Sequence, residues 1–296
     1  MLELLSERIW GNSKFHDEAR NLLVRHLRKS VLRESVDLVD RDALVRLSRS
    51  ATIMAGSSSQ EHRSTAYKIA VAATSLFGDS EPTTAEIMLL VLNRLGNFPA
   101  SAFAMRRYNV SPSTFPARIA VESEIHRGNN STLIGDSQID FTDFQSSLWS
   151  NLRDKLNVSV SAPTSAGKSF VVQAFLRNGF QLGSIKQAAY LVPSRALVNQ
   201  VATDVSSWLG LIGENAPELF TIPFTNDIAI PGRALYVMTQ ERFQLVQSSH
   251  EALKLDVLIA DEVQGIGDGP RGILLSSVIE EAISVGFHAE LSRLGA

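Results

Sequence analysis

The sequence predicts an α/β fold with a parallel sheet over residues 131–296, preceded by an all-α region with a linker over residues 1–130. Three observations predict it. Apolar residues recur at helical spacing through the first third, at Leu22, Leu23, Leu27, Val31, Leu32, Leu38, Val39, Leu44, Val45 and Leu47. In the second half, a short and largely apolar run such as Leu255–Ala260 has the composition of a strand buried on both faces. Such runs are followed by helix starts, the alternation that builds a parallel sheet.

In the first region, Tyr67 to Phe77 and Ala85 to Leu95 read as two apolar-faced helices separated by Gly78-Asp79-Ser80-Glu81-Pro82, an antiparallel hairpin with no clear internal period. Thr83 or Thr84 is placed to cap the second helix, and Gly96-Asn97 followed by Pro99 closes it. The apolar stripes read as core. From Asn109 to Asp140, Pro112, Pro116, Gly128-Asn129-Asn130 and scattered hydroxyls read as an extended or looped connection.

The second region opens on chemistry. Val158–Ser161 has the alternation of a short strand and Phe170–Leu176 continues as a helix face, so Ala162-Pro163-Thr164-Ser165-Ala166-Gly167-Lys168-Ser169 lies at a strand-to-helix turn. A tight turn of small residues aims backbone N–H groups inward, and the new helix adds unpaired N–H groups and the positive end of its dipole. Lys168 supplies a point charge for the β- and γ-phosphates, and the Ser169 hydroxyl suits Mg²⁺. Such a loop needs an acidic partner at the end of a buried strand, and Leu255–Ala260 runs into Asp261-Glu262. Asp261 is the expected Mg²⁺ ligand and Glu262 the expected general base. An acidic pair after a strand also serves as a solvated loop or a helix N-cap, and those readings stay open on the pair alone.

Together these segments resemble superfamily 2 DExH/DEAD-box helicases, above all the Ski2-like branch, whose phosphate loop begins with Ala, as Ala162 does here. Asp261-Glu262-Val263-Gln264 is similar to motif II, Tyr190–Gln200 to motif Ia and Val237–Phe243 to motif Ic, in the family's order. The resemblance implies a RecA-like P-loop NTPase lobe that binds ATP and Mg²⁺. It further implies that Pro193, Ser194 and Arg195, with Thr239, Glu241 and Arg242, face the backbone of single-stranded DNA or RNA. Gln145 stands at the interval where the family places an adenine-reading glutamine; it reads equally as an exposed helix residue. Gln264 occupies the position of the motif II His or Asp that relays nucleotide state, so coupling through it departs from the family pattern.

The resemblance covers about 150 of the 296 residues, and no Ser-Ala-Thr follows Asp261. The family places ATP between two RecA-like lobes and draws arginine fingers from the second, a contribution on the order of 10³-fold or more in phosphoryl transfer. The expectation is therefore part of a motor that binds nucleotide and hydrolyses it slowly without the second lobe as partner. A non-motor reading stays beside it, a nucleotide-sensing or scaffold lobe whose helical region holds a protein partner, with bacterial defence as one setting.

Composition narrows the classes. Residues 1–130 hold 17 Lys and Arg against 14 Asp and Glu, and residues 131–296 hold 11 against 17. Neither balance by itself announces nucleic acid, and Arg25, Arg28, Lys29 and Arg33 read as a solvated helix face. Zero cysteines exclude disulfides and thiolate metal sites and fit a cytoplasmic location. The six histidines lack ligand spacing. No apolar run approaches the roughly 20 residues that span a bilayer, so no membrane partner is expected.

Overall fold

The computed structural model describes residues 2–35, 40–154, 156–224, 229–250, 253–262, 269–284 and 292–294. The chain divides into two compact units, Met1–Thr132 with Gln138–Asp143, and Leu133–Ser137 with Phe144–Ala296.

The first unit is built on helices α1 (Leu2–Trp10), α2 (Ser13–Leu27), α3 (Arg41–Met54), α4 (Gln60–Phe77), α5 (Pro82–Arg94), α6 (Phe98–Tyr108) and α7 (Ala117–Asn129). Helix α4 packs against α2, α3 and α5. Its sequence explains why: Ala66, Ile69, Ala70, Ala73 and Phe77 fall on one face and are buried. The alanines admit the larger Leu47, Met54, Met88 and Leu92 of the core closely. Each such side chain taken fully out of water contributes about 1.5–3 kcal/mol.

Three expectations are corrected in this unit. The core stripe does not extend to Leu27, Val31 and Leu32, all exposed. The buried face of α2 runs Phe15, Ala19, Leu22, and its continuation falls on His26 and Lys29. The helix then widens into one π turn over Arg28–Leu32 and stops at Arg33, whose φ is 56°. Leu38 and Val39 lie outside the described residues. Neither Thr83 nor Thr84 caps α5: Pro82, with φ already helical, starts it earlier, and the Thr84 hydroxyl donates to the Glu81 carbonyl at 2.8 Å.

The third correction concerns residues 109–140, which are not a loop. They contain α7 and two short strands, β1 (Ser131–Ile134) and β2 (Ser137–Asp140). Only Ser123 of α7 is buried, so the helix carries almost no amphipathic signal. Polar contacts hold its end instead. Arg127 donates to Asp140 Oδ2 from Nε at 3.0 Å and Nη2 at 2.8 Å, and the Ser131 hydroxyl donates to Asp140 Oδ1 at 2.6 Å. Asp143 Oδ1 meets His126 Nε2 and receives Asn130 Nδ2, both at 2.7 Å.

The second unit contains most of α8 (Asp143–Arg153), then β3 (Ser159–Val160), α9 (Lys168–Gln181), β4 (Gln187–Leu191), α10 (Arg195–Leu209), β5 (Glu218–Phe220), β6 (Ala234–Met238), α11 (Gln240–Ser249), β7 (Val257–Asp261), α12 (Gly269–Ser284) and β8 (Ser292–Leu294). The strands form one sheet in the order β3-β8-β7-β4-β6-β5, and every pairing is parallel. This is the RecA-like type of parallel α/β lobe that the sequence predicts. Ala189, Leu191, Tyr236, Met238, Leu258 and Ala260 face a core shared with Phe243, Val246, Leu275 and Val278. Their alternates, including Tyr190 and Ile259, turn to the opposite face. Both faces are covered, which is why these strands read as unbroken apolar runs. β8, three residues long, went unread in the sequence; it separates β3 from β7.

Asp140 yields a test of the α7 contacts. Burial pushes its carboxyl pKa up, but the bonds from Ser131 and Arg127 outweigh it and the net shift is downward. A folded-state pKa below the unfolded one adds stability above the unfolded pKa, and that increment is lost as pH falls through the lowered value. Asp140→Asn is expected to cost about 1 kcal/mol in urea unfolding at pH 7, with the difference from wild type closing on acidification.

Candidate nucleotide-binding site

The carboxyl ends of parallel strands share one edge, the usual ligand edge of open α/β sheets. The chain leaving β3 crosses Ala162 and Pro163, makes a single tight turn at Thr164–Ala166, and enters α9 through Gly167. Gly167 has φ 78°, and an added Cβ would sit 2.4 Å from Gln145 Nε2. Glycine is thus required there by conformation and by space. Ala162 is absent from the positive-φ positions, so a Cβ at the head of the loop is tolerated without strain. No side chain among the described residues caps α9, which leaves its first N–H groups for a ligand.

Lys168 is 8% exposed. Its ammonium donates to the Ala162 carbonyl, so the side chain folds back across the loop that it would serve. Gln145, also 8% exposed, donates from Nε2 to the Ala166 carbonyl at 3.1 Å; the exposed-helix alternative is thereby corrected. Ser165 and Ser169 are exposed and Ala166 is half-buried. Thr164 opens the turn, and its side chain lies outside the description.

Asp261 ends β7 in a half-buried position. Burial pushes its carboxyl pKa up, aided by the nearby Glu262 charge, while the Glu262 N–H, at 3.0 Å from Oδ1, and the Lys168 ammonium pull it down; the net shift is upward. The ammonium and the carboxylate therefore feel one another across the β8 position, as two groups gripping one ligand must. Glu262 is exposed with φ 55°, a left-handed conformation that costs a non-glycine residue about 1–2 kcal/mol. Such strain is concentrated at functional positions. Val263 and Gln264 lie outside the described residues.

An ion between Ser169 and Asp261 would meet a hydroxyl and one carboxylate. The described residues hold no cluster of three or more His, Cys, Asp or Glu. That donor set fits Mg²⁺, which keeps several waters and is shared with substrate phosphates.

Motif Ia leaves β4 through half-buried Pro193 and exposed Ser194 and Arg195. Ser194 caps α10, its Oγ accepting from Leu197 N at 3.3 Å. Of the motif Ic residues, Thr239 is buried, and Arg242 donates to the Thr221 carbonyl at 2.9 Å. Glu241 Oε1 accepts from Arg271 Nε at 2.9 Å. Arg271 also donates from Nη2 to the Pro193 carbonyl at 2.7 Å. Sequence reasoning missed Arg271, because only the fold brings position 271 to positions 193 and 241.

Residues 142–285 match the family model described as DEAD/DEAH box helicase. Among curated proteins, the chain is 28% identical to "Anti-bacteriophage protein B" of Escherichia coli K12 over 122 residues, 41% of this chain and 15% of that protein. It is 28% identical to "ATP-dependent DNA helicase Hel308" of Aeropyrum pernix over 145 residues, 47% of this chain and 19% of the relative. It is 33% identical to "Probable helicase HelY" of Mycobacterium tuberculosis H37Rv over 142 residues, 46% of this chain and 14% of the relative. The chain thus spans less than one fifth of the length of these relatives. No helix among the described residues is long and apolar enough to cross a membrane.

The raised pKa of Asp261 has a consequence for the free protein. Its folded-state pKa lies above the unfolded one, so its ionised form opposes folding at neutral pH, and the penalty is relieved as pH falls through the raised value. Asp261→Asn is expected to raise the melting temperature of the nucleotide-free chain at pH 7 by about 2 °C, a gain that shrinks on acidification.

Proposed function

Residues 142–285 are a superfamily 2 DExH/DEAD-box helicase domain with Ski2-like relatives, and on that premise we propose that they form the ATP-binding lobe of a nucleic-acid helicase or translocase. The observation that carries this reading is the buried Lys168 ammonium, held in the loop within electrostatic reach of Asp261. In the proposed loaded state, Lys168 leaves the Ala162 carbonyl for the β- and γ-phosphates, which also receive the N–H groups at the start of α9. Ser169 and Asp261 would hold Mg²⁺, which would supply positive charge to offset that of the phosphates. Glu262 accepts a proton from water, and Gln145 reads the adenine edge through its side-chain amide.

Ordinary DExH chemistry also needs cationic stabilisation from a second RecA-like lobe, and we assign hydrolysis to the two lobes together. The strand-contact role falls on Arg195, which is exposed at the N-terminus of α10 beside Pro193 and Ser194. Thr239, Glu241 and Arg242 hold the adjoining turn through contacts within the lobe. Single-stranded DNA and RNA both fit, since these groups address the backbone. The similarity to a protein named for anti-bacteriophage action supports a defence setting.

Equilibrium binding of ATP tests the assignment. Lys168→Ala is expected to weaken affinity about 50-fold, the scale of a charge-assisted contact. Glu262→Gln is expected to bind ATP as wild type while turnover falls by roughly 10² or more. Unchanged affinity in Lys168→Ala would remove the site. ATP binding with no nucleic-acid-stimulated hydrolysis, even when the second lobe is present, would favour the nucleotide-sensing alternative.

A further inference from the structure

Tyr190 holds a polar atom that the proposed chemistry does not use. Its side chain is 0% exposed, and its hydroxyl has no hydrogen-bond partner among the described residues. Leaving a buried hydroxyl unpaired opposes folding, while phenylalanine would fill nearly the same volume without that penalty. Packing alone therefore does not account for the oxygen.

Register places that oxygen. On the parallel strands β4 and β7, Tyr190 stands opposite Ile259. Side chains alternate faces, so Asp261 lies on the same face as Tyr190 and about 7 Å further toward the ligand edge. Tyr190 thus stands on the face of the sheet that also carries the acidic strand end. Electrostatics agree with the geometry: burial first, and the Asp261 charge second, push the phenol pKa up, while Ser169 opposes them. Ser169 is near enough to be felt, yet no hydrogen bond of ordinary geometry joins the two hydroxyls. The Ser169 hydroxyl and the Asp261 charge, the two groups proposed to hold the ion, thus both act on the phenol.

We propose that Tyr190 is a positioning residue of the divalent-cation site, its hydroxyl bonding the water shell of the ion held by Ser169 and Asp261. This rests on the nucleotide-site reading above. Mg²⁺ dehydrates reluctantly and keeps several waters. A neutral hydroxyl that both donates and accepts suits such a shell, and it adds no charge that would have to be buried. Partners outside the ligand sphere tune metal affinity by about 10–100-fold.

The test compares ATP affinity of the full chain in EDTA and in Mg²⁺, for wild type and Tyr190→Phe. In EDTA the two are expected to agree within about twofold, whereas in Tyr190→Phe the Mg²⁺ concentration giving half-maximal enhancement rises about 10-fold. The melting temperature without nucleotide stays level or rises, since an unpaired hydroxyl has been removed. In a Ser169→Ala background, Tyr190→Phe is expected to add little, the mark of two groups acting on one ion. A Mg²⁺ dependence identical to wild type overturns the proposal. So does an equal loss of affinity in EDTA, or a lowered melting temperature with unchanged Mg²⁺ response, each of which assigns the hydroxyl to structure. Wild type that binds no ATP at all would instead overturn the nucleotide site itself.

Discussion

An ammonium and a carboxylate, each partly stripped of water, lie within electrostatic reach of one another in the all-parallel α/β unit. Lys168 is nearly buried with a loop carbonyl for company, and Asp261 is held above its ordinary pKa by burial. Neither environment is comfortable for a charge, because desolvation is repaid only by close and well-formed partners. The two do not neutralise each other by direct contact. A metal-bound polyphosphate would satisfy both at once, its anionic oxygens meeting the ammonium and its cation the carboxylate. The proposed site would thus complement a ligand of mixed sign, which a simple salt bridge at the same place would not.

The carboxyl edge of the sheet carries a second layer of contacts. Arg271, at the start of α12, joins the carbonyl of Pro193 to the carboxylate of Glu241. Burial would push the Glu241 pKa up, but bonds from Thr239, its own backbone and Arg271 bring it down, so it stays charged. One guanidinium therefore ties the turn after β4 to the turn after β6, from a helix that follows the motif II strand in the chain. Glu262, in a left-handed conformation immediately after Asp261, begins the segment between that strand and α12.

What was legible in the sequence was what is local. Leu255–Ala260 read as a strand because burial on both faces writes an uninterrupted apolar run. The stretch from Ala162 to Ser169 read as a strand-to-helix turn because small residues and a glycine separate a β-branched run from an apolar helix face, and it forms that turn. The missed features depend on partners distant in sequence or on very short elements. Helix α7 has one buried residue and is anchored through Asp140 and Asp143, so no period marks it. β8 offers three residues, too few for any pattern to emerge. Arg271 and Tyr190 look like ordinary residues of a helix start and a buried strand until the fold supplies their neighbours.

Gln145 ties helix α8 to the loop that precedes α9. Its amide nitrogen donates to the Ala166 carbonyl, and the space this needs is the space where Gly167 lacks a Cβ. A carboxamide carries two donors and two acceptor lone pairs. An adenine edge presents one donor and one acceptor, which a carboxamide can match from a single plane. Base recognition and loop conformation would then not be independent: a base seated against the amide fixes the rotamer that braces Ala166, and a loop displaced from Gln145 withdraws the group that reads the base. The glycine before Lys168 is therefore constrained from two sides, by the left-handed backbone that starts α9 and by the glutamine that occupies the place of its missing side chain.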